Sequence, residues 1–451
     1  MHGSQETVGE PFKTMRILIA SPYLPWPLNS GGNAAQFSTL KCLEEDHEFT
    51  LVCPIYDEAG VASAKELQVR LPRVRVRAVA CGSPPVQPMP NPGWLVRVAR
   101  KAVHVGRKLL NPPVSSPSPE PAQAAALHYP FDPLPEKLIS ALEEEMAGGF
   151  DLFQAEFAEM LPLGLWCKIP KLFIHHQVHF VYAERYLKTY GTTPYLRYLE
   201  SVMKAQEVNY LREFQGIITF GDEDRRALLP YVAPERLFAS PFPVPADVGI
   251  TDKLPPSFEG QFLFLASEQH LPNRDGLEWL LGKIWPQISA ELPSARLVVI
   301  GQWSEAGKAR FAAPGVVFPG FVEDLGSRMR GGIMLVPLRI GSGIRVKIMV
   351  AMGQGTPVVS TSVGSEGMPV RDGEELLVRD DAVEFAKAAI QLAKDTALWK
   401  RLGIAGWEAV RSHYSMERVR QRRNQIYQTI VPSAGSASPR HQPLVSMAAR
   451  A

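Results

Sequence analysis

Short apolar runs alternate with helix-like stretches along the first half of the chain. The run MRILIA (15–20) is apolar apart from Arg16, and a Pro/Gly loop and a helical stretch from about 33 to 43 follow it. Five later apolar runs are predicted as strands, at 49–52, 74–80, 151–156, 171–176 and 216–220. Helices are predicted at 136–147 and 195–214. Buried apolar strands that alternate with helices indicate a parallel sheet with crossover helices.

The same alternation restarts after a Pro-rich stretch at 241–260, which we interpret as an interdomain linker. Further strands are predicted at 262–266, 296–301, 315–318, 332–338 and 356–364. Further helices are predicted at 276–292, 344–353, 381–394, 396–412 and 415–430. We therefore expect an α/β protein with two doubly wound, Rossmann-like domains, at 15–240 and 261–413, and a final helix at 414–431. The segments 1–14 and 432–451 are interpreted as a flexible extension and a disordered tail.

The segment 82–135 interrupts the first domain and is Pro-rich at both ends. It encloses WLVRVARKAVHVGRKLL (94–110), which carries five Lys or Arg residues and no acidic residue. One interpretation is a solvated helix or a lid over the edge of the sheet. The other is an amphipathic anchor that lies on an anionic membrane surface. The sequence leaves both open.

Composition excludes several classes of protein. The 451 residues carry a net charge of +2, and 45% of them are hydrophobic, which is typical of a folded globular protein and excludes collagen and coiled coil. Such a balanced charge gives no overall field for gripping nucleic acid, so no nucleic-acid partner is expected. The four cysteines form no CxxC pair, which suits a reducing compartment. No run of about 18 apolar residues occurs and the N-terminus lacks a signal-peptide core, so we expect a cytoplasmic protein, at most peripheral on the membrane. Met15 is an alternative start.

The stretch PLRIGSGIRVKIMVAMGQGTPVVSTSVGSEGM (337–368) carries the most informative chemistry. A strand ends there in a Gly-Ser-Gly turn, and a helix starts directly afterwards. Backbone amides freed by small residues, together with the positive end of the helix, form an anion site. Arg345 and Lys347 add side-chain charge beside it. The alternative is a tight turn with two solvated basic side chains.

This stretch, together with LPNRDGLEWLLGKIWPQI and ARLVVIGQW before it, resembles the glycosyltransferases of the GT-B fold, within them the retaining family 4 and its bacterial exopolysaccharide-associated branch. The resemblance covers nearly the whole chain. It implies a C-terminal domain that binds a nucleotide-sugar without a metal ion or other cofactor. The implied diphosphate site consists of Gly341, Ser342, Gly343, Arg345 and Lys347. Backbone groups implied to approach the phosphates or the sugar belong to Ser362, Val363 and Gly364.

The N-terminal half carries the same resemblance. MRILIASPYLPWPLNSGGNAAQF is similar to the first strand and glycine loop of the family, which implies that Gly31 and Gly32 let the loop reach the donor phosphates. LFIHHQVHFVYAERY is similar to the family segment D-x-H-N-V-E, with His176 in place of its histidine. That resemblance implies that His176 lies at the reacting centre. A histidine beside a developing positive charge must stay neutral to help.

Two departures from the family pattern bear on activity. The family's Glu-x7-Glu pair is absent, and its second Glu, which binds the ribose hydroxyls, falls at Val350. Ile174 stands where the family segment has Asp. Loss of a carboxylate that accepts charge-assisted hydrogen bonds of about 1.5–3 kcal/mol each is expected to weaken or re-tune nucleotide binding at the Val350 position.

Other polar clusters have simpler interpretations. Three histidines, His175, His176 and His179, have no acidic ligand in sequence and are interpreted as pocket or core residues rather than a metal site. The acidic run 143–145 is interpreted as a solvated helix face, and the run 222–224 as a helix N-cap with first-turn acids. Trp303 is interpreted as a packing residue.

Two functions of different class follow from these patterns. The first is a glycosyltransferase that moves a hexose, with retention, from a nucleoside diphosphate sugar to a saccharide or lipid-linked acceptor in polysaccharide or glycoconjugate biosynthesis. Arg345 and Lys347 then neutralise the leaving diphosphate. The second is a catalytically degenerate homologue that binds a nucleotide or a partner protein, as the change at Val350 suggests. An epimerase of the same fold is a weaker third possibility.

Overall fold

The computed structural model describes residues 12–28, 30–82, 131–341 and 343–431. The interpreted anchor 94–110, Ser342 and the tail 432–451 lie outside the described residues. The described residues form two parallel sheets, one of seven strands and one of six. We call the unit around the first sheet the first domain and the unit around the second sheet the second domain.

The first domain follows the order β3-β2-β1-β4-β5-β6-β7. Its strands are β1 (Arg16–Ala20), β2 (Glu48–Ile55), β3 (Val74–Ala80), β4 (Leu152–Glu156), β5 (Lys171–His175), β6 (Gly216–Thr219) and β7 (Leu237–Ala239). Its helices are α1 (Gly31–Leu43), α2 (Glu58–Arg70), α3 (Glu136–Met146), α4 (Leu163–Trp166), α5 (His179–Tyr190), α6 (Pro194–Leu211) and α7 (Asp222–Leu228).

The second domain follows the order β10-β9-β8-β11-β12-β13. Its strands are β8 (Gln261–Leu265), β9 (Arg296–Ile300), β10 (Val316–Gly320), β11 (Gly332–Val336), β12 (Val358–Ser360) and β13 (Leu377–Val378). Its helices are α8 (Leu271–Trp279), continued by a π-helical turn (Leu280–Ile284) and α9 (Trp285–Glu291), then α10 (Glu305–Arg310), α11 (Leu325–Met329), α12 (Val346–Gly353), α13 (Ser362–Ser365), α14 (Ala382–Lys394) and α15 (Thr396–His413). The last helix is α16 (Met416–Ile430).

Strand order places the polar chemistry of each domain at one edge. In the first sheet β1 pairs with β2 on one side and with β4 on the other, with Ile19 opposite Leu51 and Gln154. The crossovers therefore reverse direction between β1 and β4, and in the second sheet between β8 and β11. Crevices for ligands form beyond the carboxyl ends of parallel strands at such reversal points.

The prediction of two doubly wound α/β domains is confirmed, with three local differences. Gly31 and Gly32 form the first turn of α1 rather than a loop, because Ser30 caps the helix by accepting from the Asn33 amide. The helix predicted at 276–292 begins earlier, at Leu271, where Pro272 occupies the first turn. The strand predicted at 356–364 is limited to β12, and the short helix α13 follows it.

Side-chain burial separates two of the simpler interpretations. Trp303 is buried and donates from Nε1 to the Ala266 carbonyl, so its interpretation as a packing residue is confirmed. The interpretation of the acidic run 143–145 as a solvated helix face is wrong for Glu145, which is buried and pairs with Arg75 and Arg77. Because Arg75 and Arg77 lie on β3, far from the helix in sequence, the sequence of the helix alone does not indicate these ion pairs.

The final helix α16 packs against the first domain. Arg420 pairs with Asp46, and His47 Nε2 lies 2.6 Å from Asn424 Oδ1. The segment that joins the two domains is held on the second one, since the Thr251 amide donates to the Gly353 carbonyl. Within the described ranges, no helix is both long and apolar enough to cross a lipid bilayer.

Candidate functional site

The strand-end faces of the two domains meet at close approaches of the backbone. A Cβ on Gly343, in the second domain, would lie 2.9 Å from the His176 carbonyl of the first domain. A Cβ on Gly221 would lie 2.9 Å from the Gly367 backbone in the opposite domain. Only glycine leaves room for two main chains at these distances. The site is therefore an interdomain cleft, closed in this structure.

The loop before α12 carries the predicted anion site. Gly341 has a φ of 126° and Gly343 a φ of 82°, so both glycines adopt backbone conformations that other residues rarely reach. α12 begins directly after this loop, with Arg345 at its N-cap position and no side chain capping its amides. Free amides at a helix N-terminus favour an anion.

Two cations of the second domain lie half-buried beside this loop. Lys347 Nζ donates to Asn273 Oδ1 over 3.0 Å. Burial, with a smaller contribution from Arg345, lowers the pKa of Lys347 to about 7. Among the residues that the structure describes, no carboxylate lies within 4 Å of Lys347 Nζ. Burial also lowers the pKa of Arg345 to about 10, against the attraction of Asp224 and Glu366, so that guanidinium stays charged. A half-buried cation without a carboxylate partner favours an anionic ligand.

His176 belongs to the first domain, and its backbone carbonyl approaches Gly343 of this loop. Its Nε2 lies 2.9 Å from Glu156 Oε2, and its ring stacks on Phe157 at 3.7 Å. Burial lowers the pKa of His176, which outweighs the opposing effect of Glu156, so the imidazole is neutral at physiological pH. Phe157 has a φ of 66°, which is rare for a non-glycine residue and is a form of backbone strain that concentrates at functional sites.

The neighbouring histidine has a structural setting. His175 Nε2 lies 3.0 Å from Glu207 Oε1, and Glu207 also accepts from the amides of His179 and Phe180, each at 3.0 Å. His175 and His176 are thus enclosed side chains, and their acidic partners, Glu207 and Glu156, come from elements distant in sequence. In the described part of the chain, no group of three or more potential metal ligands is assembled.

Asp224 enters the cleft in a way that the sequence does not indicate. The carboxylates of Asp222 and Glu223 pair with Arg225 and Arg226 at the surface, as first-turn acids of α7. Asp224 is instead 5% exposed, and burial raises its pKa to about 6. Its Oδ2 would lie 3.8 Å from a Cβ on Gly343. Asp224 therefore belongs to the site rather than to a solvated helix end.

An ion pair that sequence reasoning missed joins the two domains. Arg185, on α5, makes two 2.5 Å hydrogen bonds to the Glu366 carboxylate and a third to the Gly341 carbonyl. Tyr190, five residues later on the same helix, donates to Asp275 of the second domain. The only signal in the sequence was the position of α5 directly after His176.

The remaining predicted residues have other surroundings. Val350 is 1% exposed in the apolar core beneath α12. The Ser362 amide already donates to Asp380 Oδ1 over 2.8 Å, and the Gly364 amide donates to Thr361 Oγ1 over 2.9 Å. Val363 is half-buried. Gly31 lies against α12, since its Cβ would be 3.3 Å from Val346, and Gly32 lies against Phe157 and His176. Gly31 and Gly32 thus lie at the cleft, whereas the amides of Ser362 and Gly364 are already hydrogen-bonded within the protein.

Comparison with known proteins gives a family match over part of the chain. Residues 259–395 match the family model described as Glycosyl transferases group 1. The chain is 27% identical over 157 residues to an uncharacterized 44.6 kDa protein in the cps region of Klebsiella pneumoniae, covering 33% of this chain and 40% of that protein. It is 30% identical over 169 residues to phosphatidyl-myo-inositol mannosyltransferase of Mycobacterium leprae (strain TN), covering 36% and 44%. The match thus spans less than half of either curated relative.

Solved structures extend the likeness to the whole fold. S. aureus TarM in complex with Fondaparinux, alpha-GlcNAc-glycerol and UDP superposes with a TM-score of 0.61 at 11% identity, covering 92% of this chain and 100% of that one. Anabaena HepE in complex with UDP-glucose superposes with a TM-score of 0.57 at 14% identity, covering 92% and 99%. Such low identity shows the fold alone. The resemblance stated from the motifs is confirmed for the fold and for the second domain. The chain has the GT-B fold, and residues 259–395 of its second domain match the glycosyl transferases group 1 family model.

Proposed function

We propose that this protein is a glycosyltransferase that moves a hexose from a nucleoside diphosphate sugar to a saccharide or lipid-linked acceptor. The observation that carries the proposal is the pair of half-buried cations, Arg345 and Lys347, beside a glycine loop that meets the His176 backbone across the cleft. A diphosphate supplies the anion that Lys347 lacks, and a sugar attached to it extends towards the first domain.

The chemistry needs stabilisation of a leaving diphosphate. Arg345 and Lys347 supply positive charge where negative charge develops, which is the largest contribution in many enzymes. We propose that these cations replace a divalent ion, so that no metal cofactor is required. His176 supports the reacting sugar as a neutral hydrogen-bonding group. The close contact of the two domains excludes water, so transfer to the acceptor outcompetes hydrolysis.

The comparisons favour a uridine nucleotide as the carrier of the donor sugar. The solved complexes of TarM and HepE contain UDP and UDP-glucose. The acceptor class rests on weaker support: a saccharide is suggested by the TarM complex, and a lipid-linked acceptor by the name of the mycobacterial relative. Retention of configuration and a place in polysaccharide or glycoconjugate biosynthesis rest on the motif resemblance alone and remain part of the proposal.

A thermal-shift panel with UDP, GDP, ADP and their sugars, with and without Mg²⁺, tests the donor site. A ligand at about 100 times its dissociation constant stabilises a protein by about 2.7 kcal/mol, which is readily measured. We expect a metal-independent shift with UDP and UDP-sugars. Incubation of the wild-type protein with a UDP-sugar and candidate saccharides then tests glycosyl transfer. Release of UDP without formation of a new glycoside would contradict the proposed transfer.

Val350 supports a second candidate, a homologue that binds a nucleotide or a partner protein without catalysis. The position is apolar and sealed in the core, so the ribose has no carboxylate there. The two candidates differ in a turnover assay. A protein that binds UDP-glucose tightly but never releases UDP, with any acceptor class, would favour the second.

We also propose a cytoplasmic location with peripheral membrane contact through 94–110. The support is the five basic residues and the absence of acids in that segment. Co-sedimentation with vesicles that contain phosphatidylserine tests it. Binding that persists after all five basic residues are changed to Gln would contradict the role of this segment.

A further inference from the structure

A chain of buried hydrogen bonds leads from the final helix to His176. Tyr427, on α16, donates from its hydroxyl to Gln154 Oε1 over 2.9 Å. Gln154 Nε2 donates to Glu156 Oε1 over 2.7 Å. The other oxygen of Glu156 lies 2.9 Å from His176 Nε2. Tyr427, Gln154 and Glu156 are all at most 3% exposed, so no bulk water competes with these contacts.

The direction of each hydrogen bond is fixed by its neighbours. A carboxylate only accepts, so Gln154 must present its NH₂ group and His176 must carry its proton on Nε2. The Gln154 carbonyl oxygen then faces Tyr427, which holds the amide in this orientation by donating to it. The lone pair of His176 is consequently on Nδ1. That atom is buried without a hydrogen-bond partner among the described residues, and it lies 3.6 Å from the position of a Cβ on Gly32.

The same helix places a positive charge behind this chain. Arg423 is fully buried one turn before Tyr427, and its Nη2 approaches the Ser240 carbonyl at 3.5 Å. Its Nε and Nη1 have no hydrogen-bond partner within the described ranges. The Glu156 carboxylate attracts this guanidinium. Both Arg423 and His176 pack on Phe220, at 6.0 Å and 5.0 Å from its ring. α16 therefore places a buried guanidinium near the Glu156 carboxylate.

We propose that Tyr427, Gln154 and Glu156 are positioning residues that lock His176 in the tautomer with a proton on Nε2 and a lone pair on Nδ1. In that tautomer His176 accepts a hydrogen bond from a substrate hydroxyl rather than donating one. The final helix is then part of the catalytic apparatus as well as of the fold. The substrate side of this inference rests on the proposed function, whereas the tautomer does not.

The tautomer is measured directly from the two ring nitrogens by NMR of protein labelled with ¹⁵N-histidine. We expect the wild-type His176 to carry its proton on Nε2. In Glu156→Gln, the new amide donates to Nε2, so the proton moves to Nδ1. In Tyr427→Phe, Gln154 loses its anchor and both tautomers are populated. Tyr414→Phe is the matched control, because it removes another buried tyrosine hydroxyl that lies outside this chain of hydrogen bonds.

Kinetics give the second measurement. Loss of one hydrogen bond in the chain is expected to lower kcat about 5- to 10-fold in Tyr427→Phe, with an unchanged dissociation constant for UDP. Glu156→Gln is expected to lower kcat further. A wild-type tautomer and wild-type kcat in Tyr427→Phe would overturn the proposal, as would equal losses of kcat in Tyr414→Phe. If no donor is turned over at all, the proposed function fails, but the tautomer in the three variants still confirms or overturns the lock.

Discussion

The strand-end faces of the two domains differ in the partners of their ionisable side chains. In the first domain, His175 and His176 each have a buried carboxylate as hydrogen-bond partner, so both rings are oriented before any ligand arrives. In the second domain, Lys347 is half-buried, and its partner is an amide oxygen rather than a carboxylate. A face whose side chains are already oriented loses little free energy when a ligand binds. A face with a cation that has no carboxylate partner gains the most binding free energy from an anion. This difference supports the proposal that the second domain binds the diphosphate and the first domain binds the reacting sugar.

The largest effect is expected from removing the charge imbalance. Arg345→Ala combined with Lys347→Ala eliminates two charge-assisted contacts to a diphosphate, each of about 1.5–3 kcal/mol. The affinity for UDP, measured by calorimetry, should fall about 10²- to 10⁴-fold. The control is Lys308→Ala with Arg310→Ala, which removes two cations from surface ion pairs of the same domain. Equal affinities in both double variants would contradict the assignment of the diphosphate site.

A second variant tests whether the second face has room for a carboxylate. The sequence suggests that Val350→Glu restores a ribose contact, but the side chain at this position is 1% exposed in an apolar core. An uncompensated buried charge costs about 3–5 kcal/mol, so we expect Val350→Glu to lower the free energy of unfolding by about that amount. Val383→Glu, at an exposed position in the first turn of α14, is the control. Normal stability with tighter UDP binding would instead show that this position opens to the donor.

The third test uses pH, because the second face contains a lysine whose pKa is lowered by burial. The pKa of Lys347 is about 7 without ligand, and a bound diphosphate raises it. Above about pH 7, binding must therefore be accompanied by proton uptake, and the affinity for UDP-glucose should fall about tenfold per pH unit. Below about pH 7 the lysine is already charged, so the affinity should level off.

Lys347→Arg is the matched variant for this test, since an arginine stays charged throughout that range. We expect it to flatten the pH profile. Calorimetry in buffers of different ionisation enthalpy measures the proton uptake directly at about pH 8. No uptake in wild-type protein would mean that Lys347 does not meet the diphosphate.

The sequence predicts most of this architecture and only part of the site. Apolar runs such as 15–20 predict strands because burial on both faces of a parallel sheet is a local requirement. Arg345 and Lys347 were predicted because their anion site is built from consecutive residues. The partners of His176 were not, although Glu156 ends β4 just as His175 ends the adjacent β5. Polar residues at the ends of neighbouring parallel strands are a usable signal once the strand order is known.

Other parts of the site leave no local signal. Arg185 is one of several charged residues on an amphipathic helix, and only the fold brings it to Glu366. Asp224 follows Asp222 and Glu223 in one acidic run, but the helix turns only Asp224 into the cleft. Arg423 is one of four arginines in α16, and burial alone distinguishes it. Contacts between domains depend on the relative placement of two sheets, which no local pattern encodes.

The smallest expected effect concerns the ion pair that joins the two faces. Arg185 and Glu366 are 27% and 19% exposed at their side chains, so we discount their pairing for solvent screening and expect it to contribute about 1 kcal/mol to closure. Glu366→Gln should open the cleft, increase the radius of gyration in solution scattering and strengthen UDP binding up to about fivefold, because the ligand no longer has to break the pair. Glu374→Gln, which removes an exposed partner of Arg371, should change neither quantity. An unchanged radius and weaker UDP binding in Glu366→Gln would show that Glu366 serves the donor site rather than closure, and the second face would then hold a carboxylate of its own.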